Sequence, residues 1–487
     1  MQTRLLINGE FVDAKAGGTI PVVNPFDGTT LCEIAEARAE DVDLAVEAAK
    51  AAFPAWSARE AGERGQLLSR LADAIEAHGE ELAELEARDT GHPIRDARML
   101  DVPRTVRTYR YFAGMADKVE GFVPPVAPGF LNYVQREPVG VVGQIVPWNF
   151  PLMFTAWKMA PALAAGNCIV NKPSELTPLS TLRIGELMQE VGFPPGVVNL
   201  VPGYGNNAGA RIAAHPGIGK ISFTGSTATG RRIVEASAGN LKKVQLELGG
   251  KGPNIVFEDA NIKAAINGAA WAIFHNQGQA CIAGSRIVLH ERIADEFLDG
   301  FVKLARSIRL GNPLDPATEM GPLTSRQHQE RVLAYCKIAL EQGGQILTGG
   351  REPDRADLKH GFFVEPTVVR AKLSDRVSQE EVFGPFATVT TFKDDEEALA
   401  IANGVAYGLG SGLWTRDLSR AHRLARGIHA GMVWINCYKV VHPSSPFGGV
   451  GESGYGREMG FEVMREYTQP KSVWVNVDAK VPPHYVR

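Results

Sequence analysis

Apolar residues along this chain recur with two different periods, and the places where the period changes mark its elements. The segment Leu5-Leu-Ile-Asn-Gly-Glu-Phe-Val12 alternates and turns at Asn8-Gly9, the dipeptide favoured in two-residue hairpins, so a small β-hairpin is predicted at the start. From Glu40 to about Arg88, alanine and leucine return at helical spacing, as in Ala45-Val46-Ala48-Ala49-Ala52 and Leu67-Leu68-Leu71-Ile75, which predicts two or more amphipathic helices. Between Val139 and Val201 short β-branched runs alternate with helical stretches. Strands are predicted at Val139 to Val146, Cys168 to Asn171 and Val197 to Val201, with helices from Trp157 to Ala165 and from Leu179 to Val191. Each strand is short and lacks a polar face, as expected of a strand buried on both sides. That order is the pattern of a parallel, doubly wound α/β sheet.

The alternation continues with a strand at Ile221 to Thr224, a helix from Gly230 to Ser237 and a strand at Lys243 to Leu248. From about Gly250 a second cycle begins, with strands at Asn254 to Phe257, Arg286 to Leu289 and Ala387 to Phe392, so a second α/β domain is expected. Lys471 to Val477 is a β-rich tail, and with Phe130 to Arg136 it reads as an arm that docks on another subunit.

At 487 residues the chain exceeds what one hydrophobic core supports, and two or three packed units are expected. A hydrophobic fraction of 44%, a charged fraction of 22% and a net charge of -4 are ordinary for a globular protein and argue against nucleic acid as a partner. The first ten residues hold too short an apolar stretch for a secretory signal, and no run reaches the roughly 18 apolar residues of a membrane span. A cytoplasmic protein without membrane contact is the expectation. The five cysteines, Cys32, Cys168, Cys281, Cys336 and Cys437, are scattered with no C-x-x-C pair, so neither a metal nor a redox disulfide is expected.

Cys281 differs from the other four in its surroundings. Phe274-His-Asn-Gln-Gly-Gln-Ala-Cys281-Ile-Ala-Gly-Ser sets it among small and polar residues, where backbone amides can approach a reacting atom. Glu247 lies between two leucines at a strand end, where partial burial would raise its pKa toward that of a useful general base; periodicity alone is equally compatible with an edge residue facing water. Asn149 follows a strand and offers an amide suited to an oxyanion hole, although asparagine in such loops is commonly a turn former.

Seven strings, in order, resemble the aldehyde dehydrogenase superfamily: Pro147-Trp-Asn-Phe-Pro151, Asn171-Lys-Pro-Ser-Glu175, Phe223-Thr-Gly-Ser226 with Gly230, Leu246-Glu-Leu-Gly-Gly-Lys251, Gly278-Gln-Ala-Cys281, Glu381-Val-Phe-Gly-Pro385 and Pro446-Phe-Gly-Gly449. The resemblance spans nearly the whole chain. It implies an α/β fold with a Rossmann-like parallel-sheet cofactor domain (1–118 and 139–249), a second α/β catalytic domain (250–465) and a small β oligomerisation arm (119–138 and 466–487). It implies NAD(P)+-dependent oxidation of an aldehyde to a carboxylate, with Cys281 as nucleophile, Asn149 and the Cys281 N–H as oxyanion donors, and Glu247 activating the water that hydrolyses a thioester. Lys158 and Glu458 match positions associated with a proton path from Glu247, and could equally be a solvated pair on a helix face. A homodimer or homotetramer is implied.

For the cofactor, the resemblance points to NAD, with NADP possible. The turn Gly225-Ser226-Thr-Ala-Thr-Gly230 would lie beside the pyrophosphate, Lys172 and Glu175 would contact the adenosine ribose and Glu381 and Phe383 the nicotinamide end, with Pro147, Trp148, Ser174 and Leu248 as further cofactor candidates. Two glycine strings imitate the dinucleotide fingerprint: Gly449-Val-Gly451-Glu-Ser-Gly454 has no strand running into it, and Gly203-Tyr-Gly205-Asn-Asn-Ala208 fits only a looser form, which leaves Gly205 a cofactor candidate. The aldehyde tunnel would be lined by Phe150, Met153, Phe154, Trp157, Ile282, Val441 and Phe447. Arg104 and Lys439 depart from relatives that handle small neutral aldehydes, which raises a carboxylated semialdehyde as substrate beside a merely hydrophobic one; both charges could also face solvent. The competing readings are a CoA-acylating relative, a non-catalytic NAD-binding structural protein, and a cysteine hydrolase using His275. The presence of Glu247, Asn149 and the cofactor strings argues against them.

Overall fold

Five central strands, Val198–Leu200, Cys168–Lys172, Val141–Ile145, Lys220–Thr224 and Lys243–Glu247, lie side by side in that order and run parallel. The computed structural model describes residues 1–481 together with His484 and Tyr485. The β-branched runs pair this way because both faces of the sheet are covered by helices, and strands so covered need no polar face. The predicted N-terminal hairpin forms, Leu5–Ile7 with Glu10–Val12, its two turn residues Asn8 and Gly9 both left-handed as a tight hairpin turn requires. It extends the sheet antiparallel at one edge, Leu6 opposite Leu200, while Gly454–Tyr455 closes the other edge beside Lys243–Glu247. The chain therefore returns to the first sheet at 454–455, inside the span read as the second domain.

The second sheet has seven strands in the order Gln345–Thr348, Thr367–Arg370, Phe386–Phe392, Arg286–His290, Pro253–Val256, Gly410–Trp414 and Met432–Ile435, parallel except for the first pair. The predicted ribbon also forms: Phe130–Pro138 pairs antiparallel with Thr468–Asn476 over its whole length, and Asn132 Nδ2 donates to Ser472 Oγ at 2.8 Å and to the Val473 carbonyl at 2.9 Å. Pro482, Pro483, Val486 and Arg487, at the end of the predicted arm, lie outside the described residues.

Helix boundaries shift where capping chemistry was under-read. The helix expected from Trp157 spans Pro151–Ala164, with Pro151 in its first turn, where a missing N–H costs nothing. The helix expected from Gly230 spans Thr227–Ser237, because the Ser226 side chain accepts from the Thr229 N–H and caps it. The N-terminal helical region resolves into Ala39–Ala58, Ala61–Ala77 and Gly79–Thr90. A further helix, Val102–Met115, entered through a π-helical turn at Ala97–Asp101, has no counterpart in the sequence reading.

In the first sheet, strand order runs outward in one direction from Val141–Ile145 and in the other from Lys220–Thr224. Loops leaving the carboxyl ends of those two strands diverge and leave a crevice, the usual ligand position in such sheets. The loops are Pro147-Trp-Asn149 and Gly225-Ser226. Helix Pro151–Ala164, buried along all of its length, leads away from the crevice.

Candidate active site

Cys281 reaches its place through an irregular passage. Helix Ile262–Phe274 ends, and Asn276, Gln277 and Gly278 then take left-handed φ values of 52°, 54° and 71°. Two consecutive non-glycine residues there are strained, by roughly 1–3 kcal/mol each. Their side chains hold the strain in place. Asn276 Nδ2 donates to the Asn149 carbonyl at 2.8 Å, and Gln277 Nε2 donates to the carbonyls of Gly91 at 2.7 Å and Pro322 at 2.8 Å. Gly278 is forced, since a Cβ would lie 1.9 Å from the Gly384 carbonyl oxygen.

Asn149 is tied to the same passage. Its side-chain Nδ2 donates to the Gln279 carbonyl at 2.9 Å, which uses one of its two amide hydrogens. Cys281 is partly accessible, and burial pushes its thiol pKa up, with the carboxylates of Glu381 and Glu247 acting in the same direction; the Ile282 N–H and Lys439 oppose them.

Two cavities meet at this residue. The first is lined by Pro147, Trp148 and Asn149 from one strand-end loop, Thr224, Gly225 and Ser226 from the other, and Leu248, Gly249, His328, Arg331, Glu381, Phe383 and Cys281. The second is lined by Phe150, Met153, Phe154, Trp157, Ile282, Val441 and Phe447, with Arg104, Lys439, Trp271, His275, Ala280 and Cys281. Cys281 is the residue common to both linings. All of the residues expected at the aldehyde tunnel thus surround one space, and among the described residues no carboxylate lines it.

The two cations of that space are not on the surface. Lys439 is 5% exposed, and its Nζ has only the Trp271 carbonyl, at 3.4 Å, as a hydrogen-bond partner among the described residues. Burial lowers its pKa to about 7. Arg104, in the first turn of Val102–Met115, is half-buried and its guanidinium has no hydrogen-bond or ion-pair partner among the described residues.

Glu247 lines neither cavity. It is 1% exposed, both carboxylate oxygens lack a hydrogen-bond partner among the described residues, and a Cβ at Gly448 would come within 2.6 Å of Oε1. Burial and then the Glu458 carboxylate hold its pKa well above the usual carboxylate range, against the pull of Lys158 and Arg457. Lys158 and Glu458 are not a solvated pair: both are fully buried and in contact, Lys158 Nζ also meeting Ser222 Oγ at 3.1 Å.

At the other end of the crevice Lys172 Nζ donates to the Gly203 carbonyl at 2.7 Å, to the Pro173 carbonyl at 2.9 Å and to Glu175 at 3.1 Å. Ser174 Oγ accepts from the Leu176 N–H and shapes the turn. Gly205 opens a π-helical turn at Gly205–Gly209, beside Lys172 but away from the cavity lining. Gly230 makes room for Leu248, whose Cδ2 would stand 2.7 Å from an added Cβ. Glu381 Oε1 accepts from the Gly250 N–H at 2.8 Å, and burial raises its pKa to about 7. Phe383 has a left-handed φ of 64°, and its ring and that of His328 pack edge-on to Trp148. The second glycine string, 449–454, is structural: Ser453 Oγ donates to the Gly249 carbonyl at 2.7 Å and its carbonyl accepts from Leu248 N–H.

A capped helix N-terminus above a bare glycine turn, opening into a chamber that ends at a cysteine, fits a dinucleotide whose pyrophosphate meets Thr227–Ser237. The model of the aldehyde dehydrogenase family matches residues 11–473. This chain belongs to the aldehyde dehydrogenase family. Human retinal dehydrogenase 2 is 44% identical over 483 residues, 98% of this chain and 92% of its own. PnpE from Pseudomonas sp. WBC-3, also solved with nicotinamide adenine dinucleotide, is 71% identical over all of both chains, with a TM-score of 0.99. Betaine aldehyde dehydrogenase from Staphylococcus aureus, solved with NAD+, is 40% identical over all of this chain and 97% of its own, with a TM-score of 0.98. The protein is an NAD+-dependent aldehyde dehydrogenase, an oxidoreductase acting on aldehydes.

Within this aldehyde dehydrogenase, sequence reading missed His328, Arg331, Trp271 and His92. Trp271 stands one helical turn before His275 and could have been found from that spacing; the others come from distant segments that only the fold brings near. Gly278→Ala is expected to destabilise the protein by about 2–4 kcal/mol, from left-handed strain plus the clash with Gly384, and to lower activity in proportion to misplacement of Cys281. Thermal unfolding beside steady-state turnover checks both.

Proposed function

We propose that this aldehyde dehydrogenase oxidises a semialdehyde acid, an aldehyde that carries one distal carboxylate, through a thioester on Cys281 that water hydrolyses. The observation that carries the reading is a cysteine shared by two cavities, one built of dinucleotide-turn residues and the other apolar, with a buried lysine and a half-buried arginine at its wall that have no ion-pair partner among the described residues. Chain carbons of the substrate pack against Phe150, Phe154, Trp157 and Phe447, while Arg104 and Lys439 take the distal carboxylate. A buried ammonium beside a half-buried guanidinium, neither with a counter-ion among the described residues, is costly, so an anion entering that space gains what they lack.

Addition of the Cys281 thiolate to the carbonyl carbon makes that carbon tetrahedral. The second Asn149 amide hydrogen and the Cys281 N–H hold the oxyanion. When bound, NAD+ supplies a hydride acceptor at its nicotinamide ring. Loss of the hydride leaves the acyl group on Cys281 as a thioester. Glu247, its carboxylate swung from behind Gly448 toward Cys281, takes a proton from water as the water adds to the thioester carbon; the thiol leaves and the carboxylate product forms. Lys158 and Glu458 carry that proton away from Glu247. Aldehyde, water and NAD+ are consumed, and carboxylate, NADH and two protons result. Glu175 next to the ribose position supports NAD+ over NADP+, since its charge opposes a 2′-phosphate. The reaction needs a free thiol, which supports a reducing, cytoplasmic setting.

No helix among the described residues is long and apolar enough to cross a membrane. The ribbon of Phe130–Pro138 and Thr468–Asn476 leaves Phe130, Leu131, Tyr133, Trp474 and Val475 exposed, which supports its docking on a second copy in a homodimer or homotetramer.

Cys281→Ala is expected to abolish NADH formation, and Asn149→Ala to reduce kcat roughly 100- to 1000-fold. Glu247→Gln is expected to give one burst of NADH and then stall, read by stopped flow; steady turnover at the wild-type rate in that variant, or turnover that requires CoA, would remove Glu247 from deacylation. Arg104→Ala and Lys439→Met are each expected to raise KM about tenfold or more for a semialdehyde acid and leave an alkanal of equal length unchanged. Because burial brings Lys439 to about 7, the free enzyme loses this charge as pH rises past 7. KM for the acid should therefore rise between pH 7 and 9, and the rise should vanish in Lys439→Met. Leu131→Asp combined with Val475→Asp should shift the assembly toward smaller species in sedimentation velocity.

A further inference from the structure

The aldehyde cavity contains a third polar group that the chemistry above does not use. His275 is 7% exposed, lines the cavity, and both its ring nitrogens lack a hydrogen-bond partner among the described residues. Its ring is packed between Trp271, 4.1 Å away between centroids, and Phe150, stacked at 6.0 Å. A phenyl ring would fill this slot without leaving polar atoms unsatisfied, so the imidazole is costly unless something in the cavity completes it. Behind it stands His92, 1% exposed, edge-on at 5.3 Å, with Nδ1 fixed by Asp101 at 2.7 Å. The π-helical turn Ala97–Asp101 places Asp101 there, three residues before Arg104.

We infer that His275 is a specificity-determining residue, positioned by His92 and Asp101, whose ring N–H hydrogen-bonds the distal carboxylate of the substrate alongside Arg104 and Lys439. The inference rests on the carboxylated-substrate reading. Burial, together with Lys439, His92 and Arg104, keeps His275 well below its ordinary pKa, so it enters as a neutral ring that offers one N–H and one lone pair. His92, Asp96 and His275 also lie close enough to suggest metal ligation. The surroundings oppose a cation: Asp96 is ion-paired to Arg95 at 3.2 Å, His92 Nδ1 is engaged by Asp101, and Arg104 and Lys439 share the space. The neighbourhood calls for an anion.

The test uses the full chain with NAD+ and compares an ω-semialdehyde acid, its methyl ester and the alkanal of equal length. His275→Phe preserves ring volume and should raise KM for the acid about tenfold, with kcat within about twofold and KM for ester and alkanal unchanged. His275→Asn, which restores a donor, should recover part of the loss. Circular dichroism and NAD+ binding establish that each variant is folded. An equal KM change for acid and alkanal, or no change for either, overturns the inference. If Arg104→Ala also fails to discriminate, the carboxylated-substrate reading falls with it; if Arg104→Ala discriminates and His275→Phe does not, only the role of His275 is lost. Zinc inhibition relieved by His275→Phe, with KM for the acid unmoved, would make the cluster a cation site and overturn the proposal as well.

Discussion

Everything at the reacting centre depends on three successive left-handed residues being held against their own strain. Asn276, Gln277 and Gly278 turn the chain out of a helix in the second domain and deliver Cys281 to the crevice of the first. The hydrogen bonds that fix them run to backbone carbonyls from other parts of the fold, Asn149, Gly91 and Pro322. Because Asn149 in turn donates to the Gln279 carbonyl, Asn149 and the passage that leads to Cys281 are joined through two short amide links. Hydrogen bonds to distant backbone carbonyls thus fix the relative position of Asn149 and the Cys281 passage.

The electrostatic layout divides around that centre. Behind it, Glu247 is kept from ionising easily by burial and by Glu458, whose own charge is matched by Lys158. In front of it, the aromatic cavity holds only cationic and neutral polar groups. The thiol lies between a region that disfavours anions and one that lacks them. Burial, with Glu381 and Glu247, pushes the thiol pKa up and so disfavours the thiolate.

Much of this was legible from the chain. The parallel strands announced themselves as apolar runs without a polar face, Asn8-Gly9 marked its hairpin, and the strings around Cys281, Glu247 and Asn149 carried the family. What escaped was information that sequence spacing does not hold. Whether Lys439 and Arg104 face water or a cavity depends on the loop and helix that carry them, and Lys439 is inward in a left-handed conformation that no local pattern signals. Lys158 and Glu458 are 300 residues apart, and an amphipathic reading of the helix around Lys158 cannot reveal that all of its faces are covered. The partnerless histidine ring next to Trp271 has the same origin, since an unsatisfied atom is defined by what the fold fails to bring near it.

The meeting of the two cavities at one sulfur atom governs traffic. In the proposed reaction an acyl group on Cys281 would place its chain on the aromatic side and close that route to solvent. The water molecule needed for release must then arrive through the dinucleotide chamber, whose inner end is Cys281 itself. In the proposed reaction, hydrolysis would wait until that chamber admits water, so the meeting of the two cavities at Cys281 would set the order of events.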